Sequence, residues 1–431
     1  MESFFLWSMV VTVCSAIFLS YFIKFRRHQK QDISRKQEAI SLGADKPLAQ
    51  YPLIDVIKCI GCATCVKACP EQEVLGIVFG KSTVINGLKC IGHGKCADAC
   101  PVGAITVGLG DVKDRDDIPV MNEFNETVIP NLYIAGELGG FALIKNAISQ
   151  GTMVIDRIAA IPQRSKDPEI KDVLIVGAGP SGMSAALNAV KHKLSYLVLD
   201  QQGAGGTILQ YPRKKIVLLQ PVEIPLYGVL TKTEYSKEEL LDIWLGLKKK
   251  YSLNIKAGVK VTNILKADNH LIVESQDGVF HARNVVLALG RRGTPRKLGV
   301  QGENSAKVMY KLIDAEAHQN ENVLVVGGGD SAIEAASGLA FQGTNNVTLS
   351  YRKSQFFRLK KKNAERIQEL IANGQVRAIM DSQVTEINED SVYLDVKGRR
   401  GKLANDFVFV FAGGEPPFDL LKKMGVKFGG N

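Results

Sequence analysis

Two cysteine runs whose first thiols lie 31 residues apart constrain this chain more than anything else in it. Cys59, Cys62, Cys65 and Cys69, followed by Pro70, take the spacing C-x2-C-x2-C-x3-C-P. That spacing wraps three thiolates around one iron-sulfur cubane and sends the fourth to a second cluster. The frame returns at Cys90, His93, Cys96, Cys100 and Pro101, with a histidine at the second ligand position. Seven of the eight cysteines lie here and none follows Cys100, so the thiols form a site rather than scattered small core residues. Zinc is the alternative, but paired zinc knuckles do not explain a doubled triple spacing that ends in Cys-Pro.

The stretch resembles a bacterial two-cluster ferredoxin. The resemblance implies one [4Fe-4S] cluster on Cys59, Cys62, Cys65 and Cys100, and a second on Cys90, Cys96 and Cys69. At the second, His93 either ligates through an imidazole nitrogen, with room made by Gly92 and Gly94, or the cluster is [3Fe-4S] and the histidine is solvated. A neutral imidazole in place of a thiolate removes negative charge, so the second cluster is expected to be the easier to reduce.

The chain opens with an uncharged run from Ser3 to Ile23, 21 residues, enough for one helical membrane span. Glu2 precedes it, and Lys24, Arg26, Arg27, Lys30, Arg35 and Lys36 follow. A cleaved signal would carry its positive charge first, so the run reads as an uncleaved single-pass anchor with everything after Lys24 in the cytoplasm, at the inner membrane. Cys14, inside it, reads as a small apolar membrane residue. These cations carry part of the +10 net charge. Membrane and phosphate contacts account for it, and no nucleic-acid motif appears.

Glycine numbers 41, nearly one residue in ten, without a collagen-like period. Two clusters of it stand between a strand and a helix. Asp172-Val-Leu-Ile-Val176 leads into Gly177-Ala-Gly179-Pro-Ser181-Gly182 and then the helix-like Met183 to Val190. A second strand, Tyr196 to Leu199, ends in Asp200, placed to accept from a ribose hydroxyl. The pattern recurs at Val323 to Val326, Gly327-Gly-Gly329-Asp330-Ser331-Ala332 and Ile333 to Ala340. Its next strand, Asn346 to Ser350, ends without an acid and continues to Arg352 and Lys353, with Arg358 shortly after. Cations there favour a 2′-phosphate, hence NADP over NAD; a solvated basic face is the alternative.

Two such folds resemble the thioredoxin-reductase-like flavoproteins of the pyridine nucleotide-disulfide oxidoreductase superfamily, and are similar to bacillithiol-disulfide reductases. The resemblance implies FAD in the first fold and the nicotinamide in the second. It also implies a flavin-side segment at Gly203 to Thr207, with Gly205 and Gly206, and at Tyr211-Pro212. Crossings between the folds would lie at Ala288 to Gly290 with Thr294-Pro295, and at Phe411 to Pro417. That family needs one more flavin segment, a strand ending in Ala-Gly-Asp with a helix behind it. It resembles Ile118 to Pro130, Leu132-Tyr-Ile-Ala-Gly136-Glu137 and the helix-like Ala142 to Ile158, ahead of the first fold rather than after the second, with Glu137 for the usual Asp. The order reads as a circular permutation, which requires the 111–116 region and the C-terminus to lie close together. Pro162 to Lys171 reads as the joining linker.

The expected fold is therefore an N-terminal transmembrane helix, an α+β ferredoxin-like iron-sulfur domain and two α/β Rossmann-like domains. The boundaries are anchor and basic linker 1–50, ferredoxin-like domain 51–110, displaced FAD segment 111–162, FAD domain 163–291, NADP domain 292–411 and return segment 412–431. Thioredoxin reductases need a C-x-x-C in the nicotinamide domain, and residues 101–431 contain no cysteine; Ser181 stands where bacillithiol-disulfide reductases place one. The expected function is an oxidoreductase moving electrons between NAD(P)H, FAD and the clusters, to or from a redox protein or membrane partner. No side chain is assigned as a general acid or base. A low-molecular-weight disulfide reductase and a non-turnover redox sensor or assembly subunit are the alternatives, and the flavoprotein resemblance implies a homodimer.

Overall fold

The computed structural model describes residues 2–429 apart from 112–114, 162–164, 166, 214, 219–220 and 233. The chain divides into two compact units, Met1–Gly110 and Asp111–Asn431.

The first unit begins with α1, Glu2–Ser41, a single helix of 40 residues. Its apolar first half, from Phe4 onward, is exposed. The basic stretch expected to be a linker is instead helix, because Lys24 to Ser41 holds no Gly or Pro and is rich in Lys, Arg, Gln, Glu and Ala. The helix stops at Gly43, φ 66°, where the N–H of Ala44 reaches the Ala39 carbonyl and that of Gly43 the Ile40 carbonyl, the Schellman arrangement. Gln29, Asp32, Ile33, Lys36 and Ala39 are partly or fully shielded, a spacing that puts them on one face.

Beyond α1, β1 (Tyr51–Ile54) pairs antiparallel with β4 (Ile105–Gly108), and β2 (Leu75–Val78) forms a hairpin with β3 (Lys81–Val84). Short helices α2 (Thr64–Ala68) and α3 (Lys95–Asp98) follow the first two ligand positions of each cysteine run. The small core of this unit combines Cys65, Val74, Leu75, Cys96 and Ile105.

The second unit is built on two sheets. In the first, β6 (Ile170–Val176) lies between β7 (Tyr196–Asp200) and the strand Gly278–Leu287, all parallel. The strand Ile255–Ala257 extends the β7 side, and the strands Leu271–Ser275 and Val261–Lys266 add antiparallel beyond the strand Gly278–Leu287. The β5 strand (Leu132–Ile134) pairs parallel with the last residues of the same central strand, Val285 opposite Leu132 and Leu287 opposite Ile134. Behind it α4 (Ile144–Ala159) packs on α5 (Pro180–Lys191), so close that a Cβ on Gly151 would lie 2.2 Å from the Ser181 carbonyl oxygen. Helix α6 (Lys237–Lys250) adds Leu240, Trp244 and Leu247 to the core that β6 and α5 share.

The C-terminal residues come back to this place. Val120 donates its N–H to the Lys427 carbonyl at 2.8 Å, Gly429 donates to the Ile118 carbonyl at 3.1 Å, and Pro119 bridges Phe428 antiparallel. Residues 112–114 and 430–431 lie outside the described residues, but their neighbours are joined. Val426 and Phe428 share one core with Leu132, Ile134, Leu138 and Leu174. Residues 162–164 and 166 of the expected linker at 162–171 also fall outside the described residues; its last two, Ile170 and Lys171, already belong to β6.

The second sheet is five-stranded and parallel: Val308–Met309, Phe407–Val410, Asn322–Val326, Asn346–Ser350 and Val376–Ile379 in spatial order, with helices α7 (Asp330–Ala340) and α8 (Lys361–Ala372) packed on it. The two lobes are joined by paired crossings, Thr294 opposite Glu415 and Pro295 opposite Gly414. Across them Lys215 pairs with Glu334 at 2.8 Å and Arg213 with Asp314 at 3.1 Å.

Candidate functional site

The two cysteine runs have the same local backbone. Gly61 and Gly92 both take φ near 70°, and Ala63 and Gly94, at the starts of α2 and α3, both have positive φ. Each run therefore wraps a concave loop and then enters a short helix. One cavity is lined by Cys59, Cys62, Cys65 and Cys100, and the other by Cys69, Cys90, His93 and Cys96. Each run thus lends its last cysteine to the cavity of the other. Among the described residues no three His, Cys, Asp or Glu side chains converge as ligands of a single ion. Four donors around a hollow, rather than at one point, suit a polynuclear cluster and not a zinc knuckle.

The cavities differ in polarity. In the first, sulfurs accept: Cys59 from the Ser82 N–H at 3.4 Å, Cys100 from the Ala104 N–H at 3.2 Å and Cys62 from the Thr64 hydroxyl at 3.3 Å. That Thr64 contact lowers the Cys62 thiol, while burial raises Cys65. In the second, burial raises Cys90 and Cys96 and pushes Cys69 up to about 11, so iron binding there displaces protons. His93 stands across this cavity with its Nε2 3.9 Å from the Cys69 sulfur and its Nδ1 accepting from the Lys95 N–H at 3.1 Å. Burial, and then the nearby Lys95 charge, lower the imidazole and favour its neutral form. Gln50, buried beneath, donates to the Gly92 carbonyl at 2.7 Å; a Cβ on Gly92 would strike it.

In the second unit the first glycine turn joins β6 to α5. Gly177 has φ 108°, and a Cβ on Gly182 would lie 1.8 Å from the Gly177 carbonyl oxygen, so the turn closes only with glycine. Gly205 donates to the Ala178 carbonyl at 2.9 Å, and Gly206 lies against Gly179, with Thr207 in the short helical turn that follows. Gly136 arrives from β5, its would-be Cβ 3.2 Å from that of Ser181, and its N–H is held by Gln150 of α4 at 2.7 Å. Gly136, Ser181 and Gly206 thus surround one turn at the N-terminus of α5, where backbone N–H groups suit a pyrophosphate. The Ser181 hydroxyl is buried there without a partner in the protein, an orphan that fits a bound phosphate oxygen.

Asp200, expected to meet a ribose, is already engaged. It accepts from Ala178 N–H at 2.7 Å, Gln202 at 2.6 Å and Gly203 at 2.7 Å, bracing the turn and the loop after β7. Glu137 sits beside Arg291, Arg292 and Tyr211; desolvation raises its carboxyl even though the side chain opens to solvent, with the two arginines opposing. Sequence reasoning missed Lys237, 7% exposed, whose ammonium donates to the Tyr211 carbonyl, and Arg291, which grips Asp117 and lies over the Phe418 ring. A lysine at a helix start reads as solvated, and Arg291 meets a partner 174 positions away, so neither carries a local signal.

The second turn repeats the geometry, with Gly327 against the Phe411 carbonyl and the Tyr351 ring over Gly328. Asp330 accepts from the Lys360 N–H at 3.1 Å and from Asn363 at 2.8 Å, tying α7 to α8. Ser331 is exposed in the first turn of α7. Arg352 and Lys353 stand exposed after the strand Asn346–Ser350, whereas Arg358 is folded back against Gly329, its guanidinium 3.0 Å from the position of a Cβ there. The sequence grouped the three cations; the loop between them separates Arg358 because Tyr351 stacks on Phe356 at 5.6 Å and on Phe357 at 6.5 Å.

Comparison with known proteins gives the same two parts. Residues 174–430 match the pyridine nucleotide-disulphide oxidoreductase family, and residues 51–101 match a 4Fe-4S dicluster domain. The chain is 28% identical over 272 residues to a ferredoxin–NADP reductase of Ignicoccus hospitalis, covering 61% of this chain and 83% of the relative. It is 26% identical over 264 residues to the bacilliredoxin reductase Bdr of Bacillus subtilis, covering 59% and 80%. Among solved structures, the bacillithiol disulfide reductase Bdr from Bacillus cereus aligns with a TM-score of 0.54 at 26% identity, covering 60% of this chain and 82% of that one. The chain belongs to the pyridine nucleotide-disulphide oxidoreductase family, as an NAD(P)H-dependent flavoprotein oxidoreductase that also carries a 4Fe-4S dicluster domain.

Proposed function

We propose that this protein is a membrane-anchored oxidoreductase that moves electrons between NADPH, FAD and two iron-sulfur clusters, and exchanges them with a redox protein or membrane partner through its cluster lobe. The carrying observation is the crossing of the two cysteine runs onto two four-donor cavities in a chain whose flavoprotein unit has no cysteine of its own. Bound flavin supplies the conversion of a two-electron hydride into the single-electron steps that clusters accept. The protein's part is to hold each group. Cys59, Cys62, Cys65 and Cys100 bind one [4Fe-4S] cluster; Cys69, Cys90, Cys96 and His93, through Nε2, bind the other.

FAD lies on the first turn, among Gly177, Gly179, Ser181, Gly182, Asp200, Gly205, Gly206, Thr207, Gly136 and Glu137. NADP lies on the second, among Gly327, Gly329, Asp330 and Ser331, with its pyrophosphate toward Arg358 and its 2′-phosphate toward Arg352 and Lys353. The segment carrying β5 and α4 is the displaced end of a circularly permuted flavin domain. The bonds from Ile118 and Val120 to Gly429 and Lys427 support this, as does a family match that begins only at residue 174. Residues 3–23 span the cytoplasmic membrane, supported by the exposed apolar half of α1 and the cations that follow it.

The test is an anaerobic titration of detergent-purified protein with NADPH and, separately, NADH, following flavin absorbance and cluster EPR together. Flavin bleaching with reduced-cluster signals, at lower NADPH than NADH, is expected. Disulfide-dependent NADPH turnover that survives loss of the clusters would instead favour a low-molecular-weight disulfide reductase, the reading that the relatives called bacilliredoxin and thioredoxin reductase support.

A further inference from the structure

The cluster lobe is bolted to α1 in a definite direction. Asp32 accepts from the Ile77 N–H at 2.8 Å and abuts Gly76, where a Cβ would lie 2.8 Å from the carboxylate. One turn on, Arg35 reaches Glu73 at 3.6 Å, which also takes Lys89 at 2.6 Å. Past the helix end, Ala44 accepts from the Leu88 N–H at 3.1 Å and Asp45 backs Gly87. From Asp32 to Ala44 the chain climbs about 18 Å at the helical rise, and an extended Ser82 to Leu88 covers about 20 Å. The two run side by side, away from the apolar end of α1. The tip of the hairpin between β2 and β3, Phe79-Gly80, therefore points back toward that end.

Ile23, the last residue of the apolar run, lies nine residues before Asp32, about 13 Å along the helix. The tip extends two or three residues beyond Ile77, about 7–10 Å in the same direction. That leaves a gap of roughly 5 Å, within the depth of a lipid headgroup layer. What the tip carries is apolar: Phe79 is 81% exposed. Beside it lies the loop of the first cavity, since Gly61 touches the Gly80 carbonyl and Lys81 donates to the Cys59 carbonyl at 2.6 Å. On that loop Ile57 is 90% exposed and Ile60 is 64% exposed.

We infer that Phe79, Ile57 and Ile60 form a collar that rests in the interface of the bilayer holding α1, so that the cavity of Cys59, Cys62, Cys65 and Cys100 faces the membrane and the cavity with His93 faces away. The inference rests on reading residues 3–23 as a span. Its occupant is lipid: aromatic and aliphatic side chains at this level partition into the headgroup boundary, and Lys24, Arg26, Arg27 and Lys30 around them favour anionic lipid. The cluster of the first cavity is then the one that meets a membrane-held partner.

The experiment places a nitroxide on the full, cluster-loaded chain with Cys14→Ala, in vesicles of phosphatidylcholine and phosphatidylglycerol. The sites are Phe79→Cys, Lys46→Cys at the far end of the lobe, and Ser20→Cys in the span. Collision with oxygen against a water-soluble nickel chelate reads the depth of each. At 79 the ratio of oxygen to chelate collision is expected to exceed that at 46 several-fold. If 79 and 46 behave alike while 20 is lipid-buried, the collar inference fails and the span reading stands. If 20 is also aqueous, the span reading itself fails. Shielding of 79 from both probes only in native membranes would mean that a protein covers the collar, and would overturn lipid as its occupant. Should Phe79→Cys lose its clusters, Ile60→Cys carries the same test.

Discussion

The carboxylate of Asp32, on the long N-terminal helix, accepts the backbone N–H of Ile77 in the cluster lobe at 2.8 Å. A backbone donor that loses a charged acceptor costs about 1–3 kcal/mol. Asp32→Ala is expected to destabilise the lobe by that amount and to make the helix beyond Ile23 more open to protease, with Asp32→Asn keeping most of the stability. Denaturant unfolding followed by cluster absorbance checks it.

At the second cavity His93 stands where the first run has the thiol Cys62. Exchanging it for cysteine adds a negative charge beside the second cluster and is expected to lower that potential, on the order of 100 mV, by the logic that raises histidine-ligated centres. His93→Ala is expected to leave a three-iron signal. EPR-monitored redox titration distinguishes these; an unchanged spectrum in both variants would remove His93 from the ligand set.

The separation of Arg358 from Arg352 and Lys353 divides their expected effects. Losing a charged hydrogen bond to phosphate costs about 1.5–3 kcal/mol, or roughly 10-fold and more in binding. Arg352→Ala with Lys353→Ala should raise KM for NADPH by that factor while leaving NADH alone. Arg358→Ala should weaken both nucleotides. Steady-state kinetics with a soluble dye as acceptor reads the split.

Gly151 sits where α4 crosses α5, with its would-be Cβ 2.2 Å from the Ser181 carbonyl. Gly151→Ala should cost about 1–3 kcal/mol through overpacking and loosen flavin from the first turn. Flavin retained after gel filtration and the thermal midpoint of the second unit both report it.

Glu303, 6% exposed, accepts from Leu298 at 2.5 Å, Gly299 at 2.7 Å and the Tyr310 hydroxyl at 2.5 Å. Burial raises its carboxyl, but the Tyr310 and backbone donors outweigh that and hold it below the ordinary value. A depressed folded pKa contributes stability above the unfolded value near 4.3, and that stability is lost as pH falls through the folded value. The wild type should therefore destabilise more steeply below about pH 4 than Glu303→Gln, which is less stable at neutral pH. Denaturant midpoints across pH 3 to 7 measure the difference in slope.

How much of this could be read from residues alone depended on distance along the chain. The cysteine ligands and both glycine turns are local spacings, and the structure puts them where strand, turn and helix meet. The strand β5 and the Gly136-Glu137 turn after it were legible too, because they are contiguous in the chain. The second half of α1 was misread as linker: its face of Gln29, Asp32, Ile33, Lys36 and Ala39 is mostly polar, so hydrophobic periodicity could not announce it. Asp200 has the spacing of a ribose ligand, and its bracing of the turn through the N–H groups of Ala178, Gln202 and Gly203 is a role that this spacing does not announce. Gln150 holds Gly136 from one helix away and Lys237 meets Tyr211 through a fold that no local pattern encodes.

The pairing of β5 with the strand Gly278–Leu287 also sets a timetable for synthesis. Ribosomes add about 5–20 residues per second, so Leu132 to Ile134 wait roughly 8–30 s for partners made some 150 residues later. Val426 and Phe428, which complete the same core, come last of all. During that interval the nascent chain holds a finished cluster lobe and an open edge of apolar strand. The flavin lobe is thus a late-closing structure, and its yield in cells should depend on chaperones that cover β5 more than on the supply of iron.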